Sequence, residues 1–141
     1  MLRPQDSPTR ERKRLDGVWL FRFDHADEGL AGRWYAGALR DARAMAVPAS
    51  YNDIFTDLAA REYVGAAWYQ VEAFVPRGWT GQRIVLHFES VTHHATVFAG
   101  EAEVARHSGG YLPFEADITE HARPGERVRI TVRVDNTLTW Q

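Results

Sequence analysis

Two pairs of carboxylates stand at a spacing that acid–base chemistry could use. Glu101 and Glu103 are two residues apart, as are Glu115 and Asp117. On a strand this spacing puts both members on one face, about 7 Å apart by the strand rise. Carboxylate pairs that carry out hydrolysis sit about 5–5.5 Å or about 6.5–9.5 Å apart, so distance alone does not exclude either pair. Wet strand faces carry the same pattern without any chemistry, and solvated surface is the stronger reading. No catalytic residue is assigned.

The histidines converge no better. His93 and His94 are adjacent, so a strand points them to opposite faces and they cannot share a metal from that strand. His25, His87, His107 and His121 are scattered, with no H-x-H or H-E-x-x-H spacing. No metal or cofactor site is assigned. A G-x-S-x-G elbow and a G-x-x-x-x-G-K-[ST] loop are both missing, and Gly29-Leu30-Ala31-Gly32 lacks the strand–helix context of a dinucleotide loop. Among Trp19, Trp34, Trp68, Trp79 and Trp140, the first and third fall inside strand patterns and read as core. Trp79 follows Pro76-Arg77-Gly78 in a turn, which makes it the candidate residue for stacking against a sugar.

Composition narrows the classes further. Lys plus Arg is 17 against 19 for Asp plus Glu, a net charge of -2, so no positive field steers the chain to nucleic acid. The cluster Arg10, Arg12, Lys13 and Arg14 is interleaved with Asp6, Glu11 and Asp16 and reads as a solvated segment. Cysteine is absent, which removes disulfides, thiolate metal sites and cysteine nucleophiles. The first residues are polar and no apolar run approaches a membrane span. The expected setting is cytoplasmic, with no membrane partner. Neither Asn52 nor Asn136 begins a glycosylation sequon. At 141 residues the chain is one domain's worth and cannot hold a (β/α)₈ barrel, which needs about 250.

The elements that must position these side chains are strands. Val128, Ile130, Val132 and Val134 alternate with Arg127, Arg129, Thr131, Arg133 and Asp135, which predicts one dry and one wet face. Period two also runs through Trp19–Phe23, Trp68–Val75 and Ile84–Phe88. Turn signals fall between the runs, at Pro76–Gly81, Gly109-Gly110 and Arg123-Pro124-Gly125. A hairpin is predicted from Val97–Phe98 to Ala102–Ala105 around Ala99-Gly100-Glu101. Leu30, Trp34 and Ala38 have helical spacing, but Gly29, Gly32 and Gly37 limit it to a turn or two. A further short turn is expected near Ile118–His121 after Asp117. The fold class that follows is an all-β sandwich.

Longer stretches carry a resemblance. MLRP at the start, SPTRERKRLDGVWLF, WYQVEAFVPRGWTGQRIVLHFESVTHHATVF from Trp68 to Phe98, GGYLPFEADIT from Gly109 to Thr119 and VRITVRVDNTLTWQ from Val128 to Gln141 together resemble the N-terminal domain of family 2 glycoside hydrolases. Within that family the similarity is closest to bacterial β-glucuronidases, since it extends to the N-terminal tail; β-galactosidase and β-mannosidase are the alternatives. The resemblance implies a jelly-roll sandwich, the family's sugar-binding domain. It implies that an immunoglobulin-like domain and a catalytic barrel with two glutamates lie elsewhere in the parent, which is expected to be a homo-oligomer. None of the family's catalytic motifs matches a position here. The family's turn after the hairpin strand is Val-Asn-Gly-like, where this chain has Phe98-Ala99-Gly100-Glu101. Residues 1–141 are expected to be a single jelly roll that stops one strand short.

Three roles follow as expectations. The first is a non-catalytic, structural domain of a retaining β-glucuronidase, inactive alone. The second is a carbohydrate-binding module using Trp79. The third is an interaction protein that recruits strands to an open sheet edge.

Overall fold

The computed structural model describes residues 11–15, 17–47, 65–89, 94–108 and 113–135. Asp6, Arg10, Asp16, Asn52, His93, Gly109-Gly110, Asn136 and Trp140 lie outside the described residues.

Eight strands are present among the described residues: β1 (Gly17–Asp24), β2 (Arg43–Val47), β3 (Ala66–Phe74), β4 (Val85–Phe88), β5 (His94–Ala99), β6 (Ala102–Ser108), β7 (Phe114–Asp117) and β8 (Arg127–Asp135). Single 3-10 turns cover Trp34–Ala36 and Arg77–Trp79. One sheet has the order β2-β1-β3-β8-β5-β6, and β4 pairs with β7 in a second. Every pairing is antiparallel. The two layers face each other as a sandwich of the jelly-roll class, as the period-two reading predicts. No helix among the described residues is long and apolar enough to cross a membrane.

Strand alternation assigns the main core. Trp19 from β1, Val97 and Ala99 from β5, and Val128, Ile130 and Val132 from β8 point to the inner side of the large sheet. There they meet Ile84, Leu86, Phe114, Ala116 and Ile118 on and beside the small sheet. The predicted hairpin forms, with Ala99 opposite Ala102. Its two-residue loop has positive φ at Gly100 alone, at 58°, as a II′ turn requires. The register shifts after Val97, so that Val97 faces Ala105 while Phe98 faces Glu103. This bulge lets Val104 and Ala105, neighbours in sequence, both pack toward the core.

The outer side of the large sheet departs from its predicted wet character. Thr131 is 0% exposed and Gln70 3% exposed, although both alternate with core residues. The cause is the segment between β1 and β2, residues 25–42, which folds back across this face. Leu39 packs there with Trp68 and Phe98, flanked by Trp34, Tyr35 and Ala42. The Tyr35 and Phe98 rings stack at 4.1 Å, and Trp34 lies 5.8 Å from Trp68. The sheet thus buries both faces over its centre, one against apolar residues and one under a polar and aromatic cover.

Candidate functional site

The cover is held by side chains of the sheet. Asp24, at the end of β1, accepts hydrogen bonds from the Glu28 N–H at 2.8 Å and the Gly29 N–H at 2.9 Å. It also accepts one from the Trp68 indole at 3.0 Å. Gln70 accepts from the Leu39 N–H and donates to the Gly37 carbonyl and the Thr131 hydroxyl. Arg133 reaches Asp27 at 2.9 Å, and the Arg22 guanidinium lies 3.7 Å over the Trp34 ring. These groups are buried or interlocked, so their work is architectural. They fix one face of the sheet and leave chemistry to other places.

At one end of the sandwich the 3-10 turn after β3 and the turn after β7 border a groove of about 680 Å³. Trp79, Gln82, Arg83, Asp117, Glu120 and His121 line it. Asp117 accepts three hydrogen bonds at the groove. Its Oδ1 accepts from the Thr119 hydroxyl at 2.6 Å and the Thr119 N–H at 3.0 Å, and its Oδ2 accepts from Arg83 Nε at 3.0 Å. The Thr119 hydroxyl and N–H, then the Arg83 guanidinium, hold the Asp117 carboxyl at about 2, below its ordinary 3.8. Thr119 in turn accepts from the Ile84 N–H, which ties the turn to the start of β4. A carboxyl held this low stays ionised at neutral pH. It serves as a hydrogen-bond acceptor and cannot act as a proton donor, which needs a raised pKa.

The carboxylate pairs do not form acid–base couples. Glu115 sits opposite His87 and contacts its ring at 3.5 Å, while Asp117 is taken by Arg83. Glu101 faces Arg33 at 3.8 Å from the hairpin loop, and Glu103 pairs with Arg106 at 2.9 Å. Glu101, Glu103 and Asp117 each have an arginine partner, and Glu115 has the His87 ring. The histidines are equally dispersed: His94 bonds the Ser108 hydroxyl, His107 stacks on Phe114 at 4.4 Å, and His121 sits in the groove. Among the described residues no three His, Asp or Glu side chains are placed to hold a metal ion.

Trp19 and Trp68 are core, on opposite faces of the large sheet, and Trp34 belongs to the cover. Trp79 lines the groove but is half-buried, and its indole donates to Glu11 at 2.6 Å. Sequence reasoning placed Trp79 and the Asp117 turn separately. It missed that Arg83 and Gln82 join them, because Arg83 lies 34 residues before Asp117 and meets it only through the β4–β7 pairing. It also missed Asp24, Gln70 and Thr131.

The profile of glycosyl hydrolases family 2, sugar binding domain, matches residues 12–141. A β-glucuronidase of Paenibacillus borealis is 48% identical over 141 residues, covering 100% of this chain and 24% of its own length. A β-glucuronidase of Canis lupus familiaris is 44% identical, covering 99% of this chain and 23% of its own. Among solved structures, a β-glucuronidase of an uncultured Clostridium sp. superposes with a TM-score of 0.94 at 48% identity, covering 99% of this chain and 25% of that one. The Ruminococcus gnavus β-glucuronidase in complex with D-glucuronic acid gives 0.94 at 38% identity, covering 98% of this chain and 24% of that one. The chain therefore spans about a quarter of the length of these relatives. Sequence match and superposition agree over nearly the whole chain, and the chain belongs to glycosyl hydrolases family 2, where it corresponds to the sugar-binding domain of β-glucuronidases.

Proposed function

We propose that the chain acts as the non-catalytic domain of an enzyme that hydrolyses β-D-glucuronides with retention, supporting its catalytic barrel and shaping access to the active site. The observation that carries this reading is the match over 100% of this chain to 24% of a β-glucuronidase. Its complement within the described residues is that each candidate carboxylate has its own separate partner, Arg33, Arg106, Arg83 or the His87 ring, and that Asp117 is held below its ordinary pKa. The partners are the rest of the parent polypeptide, an immunoglobulin-like domain and a barrel, in a homo-oligomeric and cytoplasmic enzyme.

A chimera tests the reading. This chain replaces the corresponding quarter of the Paenibacillus borealis enzyme, and both the chimera and the isolated chain are assayed on a chromogenic glucuronide. Turnover is expected from the chimera and none from the chain. Turnover by the purified chain, or a folded chimera without activity, overturns it. Light scattering and cell fractionation of the full-length parent check the oligomer and the compartment.

A further inference from the structure

The outer side of the large sheet changes character from β8 to β1. On β8 its residues are Arg127, Arg129, Thr131 and Arg133, all polar. On β1 the residues that share this side are Val18, Leu20, Arg22 and Asp24. Arg22 and Asp24 are engaged by the cover. Val18 and Leu20 lie beyond it and are 69% and 41% exposed. Opposite them in register on β2 stand Ala46 and Ala44, both exposed. Four apolar residues thus adjoin on one flank of the sheet. A single exposed apolar side chain is ordinary, whereas a contiguous set is the form a contact surface takes.

The flank has a recess and a charge. A groove of about 250 Å³ is lined by Val18, Leu20, Ala38, Gln70 and Glu72. That is below the usual range of small-molecule sites, about 300–1,000 Å³, and suits an inserted protein side chain. Glu72 makes no ion pair or hydrogen bond among the described residues, although Arg129 stands opposite it on β8. Arg129 donates instead to the Tyr35 carbonyl. An occupant that sets a cation beside Glu72 supplies what this chain does not.

The extent of the patch selects the occupant. Each partner in a stable complex of free proteins buries about 800 Å². Val18, Leu20 and two alanines supply a fraction of that, too little to capture a second copy by diffusion. A neighbour in the same polypeptide needs no such area, because the tether provides the effective concentration. Contacts between domains of one chain are also more polar than obligate interfaces, which matches Glu72 beside the apolar set. This chain covers 24% of the Paenibacillus borealis relative, so about three-quarters of such a protein lies outside it. We propose that the Val18–Leu20 flank is the docking surface for that remaining polypeptide, which inserts an apolar side chain into the groove and sets a cation against Glu72. The inference rests on the reading of this chain as one domain of a longer enzyme, and it adds the face by which the domain is held.

The chain has no cysteine, so an introduced one reports burial at a chosen position. Leu20→Cys is made in the 141-residue chain and in the full-length parent, and its reaction with a maleimide is followed by mass spectrometry of the digested peptide. The rate is expected to fall at least about tenfold from chain to parent. Glu72→Arg added to the parent is expected to raise it again by about threefold or more. Ala46→Cys, a smaller change on the same face, carries the test if Leu20→Cys keeps the parent from folding. Equal rates in chain and parent overturn the proposal. So does a rate in the parent indifferent to Glu72→Arg. Protection that appears in the isolated chain as its concentration rises puts a second copy on the face and overturns it too. Turnover of a glucuronide by the parent is read separately. An active parent with a reactive Leu20→Cys position defeats the docking surface alone, and a protected position in a parent without turnover defeats the functional reading alone.

Discussion

The Trp68 indole donates to the Asp24 carboxylate at 3.0 Å beneath the 25–42 segment, and both residues lie on the sheet face turned away from the main core. Two further donors, the N–H groups of Glu28 and Gly29, converge on the same carboxylate. One side chain thus satisfies three polar hydrogens that the fold of the cover would otherwise leave without partners.

Asp24→Ala removes that acceptor and strands all three. A hydrogen bond to a charged group is worth about 1.5–3 kcal/mol, and an unsatisfied buried donor costs about 1–3 kcal/mol. The expected loss is about 3 kcal/mol, a large share of the roughly 5–15 kcal/mol that holds a domain folded. Urea denaturation followed by tryptophan fluorescence measures it. A loss under about 1 kcal/mol would show that water replaces the carboxylate and that the cover is loosely held.

The same contact makes Gly29 irreplaceable on steric grounds. A Cβ at Gly29 would lie 2.5 Å from Trp68 Nε1 and 2.6 Å from Cε2. The indole is fully buried and cannot swing aside. Gly29→Ala is expected to cost at least about 1–3 kcal/mol, the usual range for overpacking. Gly37→Ala is the control: nothing lies within 4 Å of its Cβ position, and its φ of -153° suits any residue. It should be neutral, or stabilise by about 0.4–1 kcal/mol through the unfolded chain. Equal melting temperatures for the two variants would remove the steric account.

These residues mark the boundary of what the sequence discloses. Period two located β1, β3 and β8 and the inner core, because alternation at Val128–Val134 reports directly which side is dry. Gly100 located the hairpin, since a two-residue loop demands positive φ there. The outer face was misread as wet because alternation states that Gln70 and Thr131 are polar and says nothing about what folds over them. A signal existed. Trp68 shares its face with Gln70, and a tryptophan on a solvated face is out of place. The groove was half legible: Asp117 and Thr119 announce their turn by proximity in sequence, whereas Arg83 joins them only through the β4–β7 pairing.

Arg33 offers a case in which the native residue works against stability. Its φ is 52°, in the left-handed region that glycine enters freely. A non-glycine residue held there costs about 1 kcal/mol or more. Against this stand an ion pair to Glu101 at 3.8 Å between largely exposed side chains and a Tyr35 contact at 5.9 Å. Exposed pairs contribute about 0–1 kcal/mol. Arg33→Gly is therefore expected to be neutral to stabilising by up to about 1 kcal/mol. Thermal melts at low and high salt separate the parts, since salt weakens the ion pair and leaves the backbone gain. A clear destabilisation at high salt would show that Arg33 does more than its contacts indicate.

Asp117 gives the chain an acid-sensitive tie between its two β4–β7 termini. The carboxyl titrates at about 2 when folded against 3.8 in its ordinary state, because Thr119 and Arg83 stabilise the charged form. A depressed folded pKa means that the unfolded state binds the proton more readily. The contribution is therefore complete above pH 3.8, declines as the pH falls below that value, and is gone once the pH passes below about 2. Above pH 5 no dependence on this group is expected. Thr119→Val removes the hydroxyl, the largest cause of the shift, and keeps the backbone N–H, so the Asp117 pKa should rise part of the way toward 3.8. Arg83→Met should raise it by less, since the guanidinium ranks below both Thr119 contacts. Carboxyl chemical shifts followed from pH 1.5 to 6 in the folded chain measure all three values, on the order of a unit apart at most. An unchanged midpoint in Thr119→Val would mean that the hydroxyl does not hold the carboxylate in solution, and with it would go the account of Asp117 as the fixed acceptor of the groove.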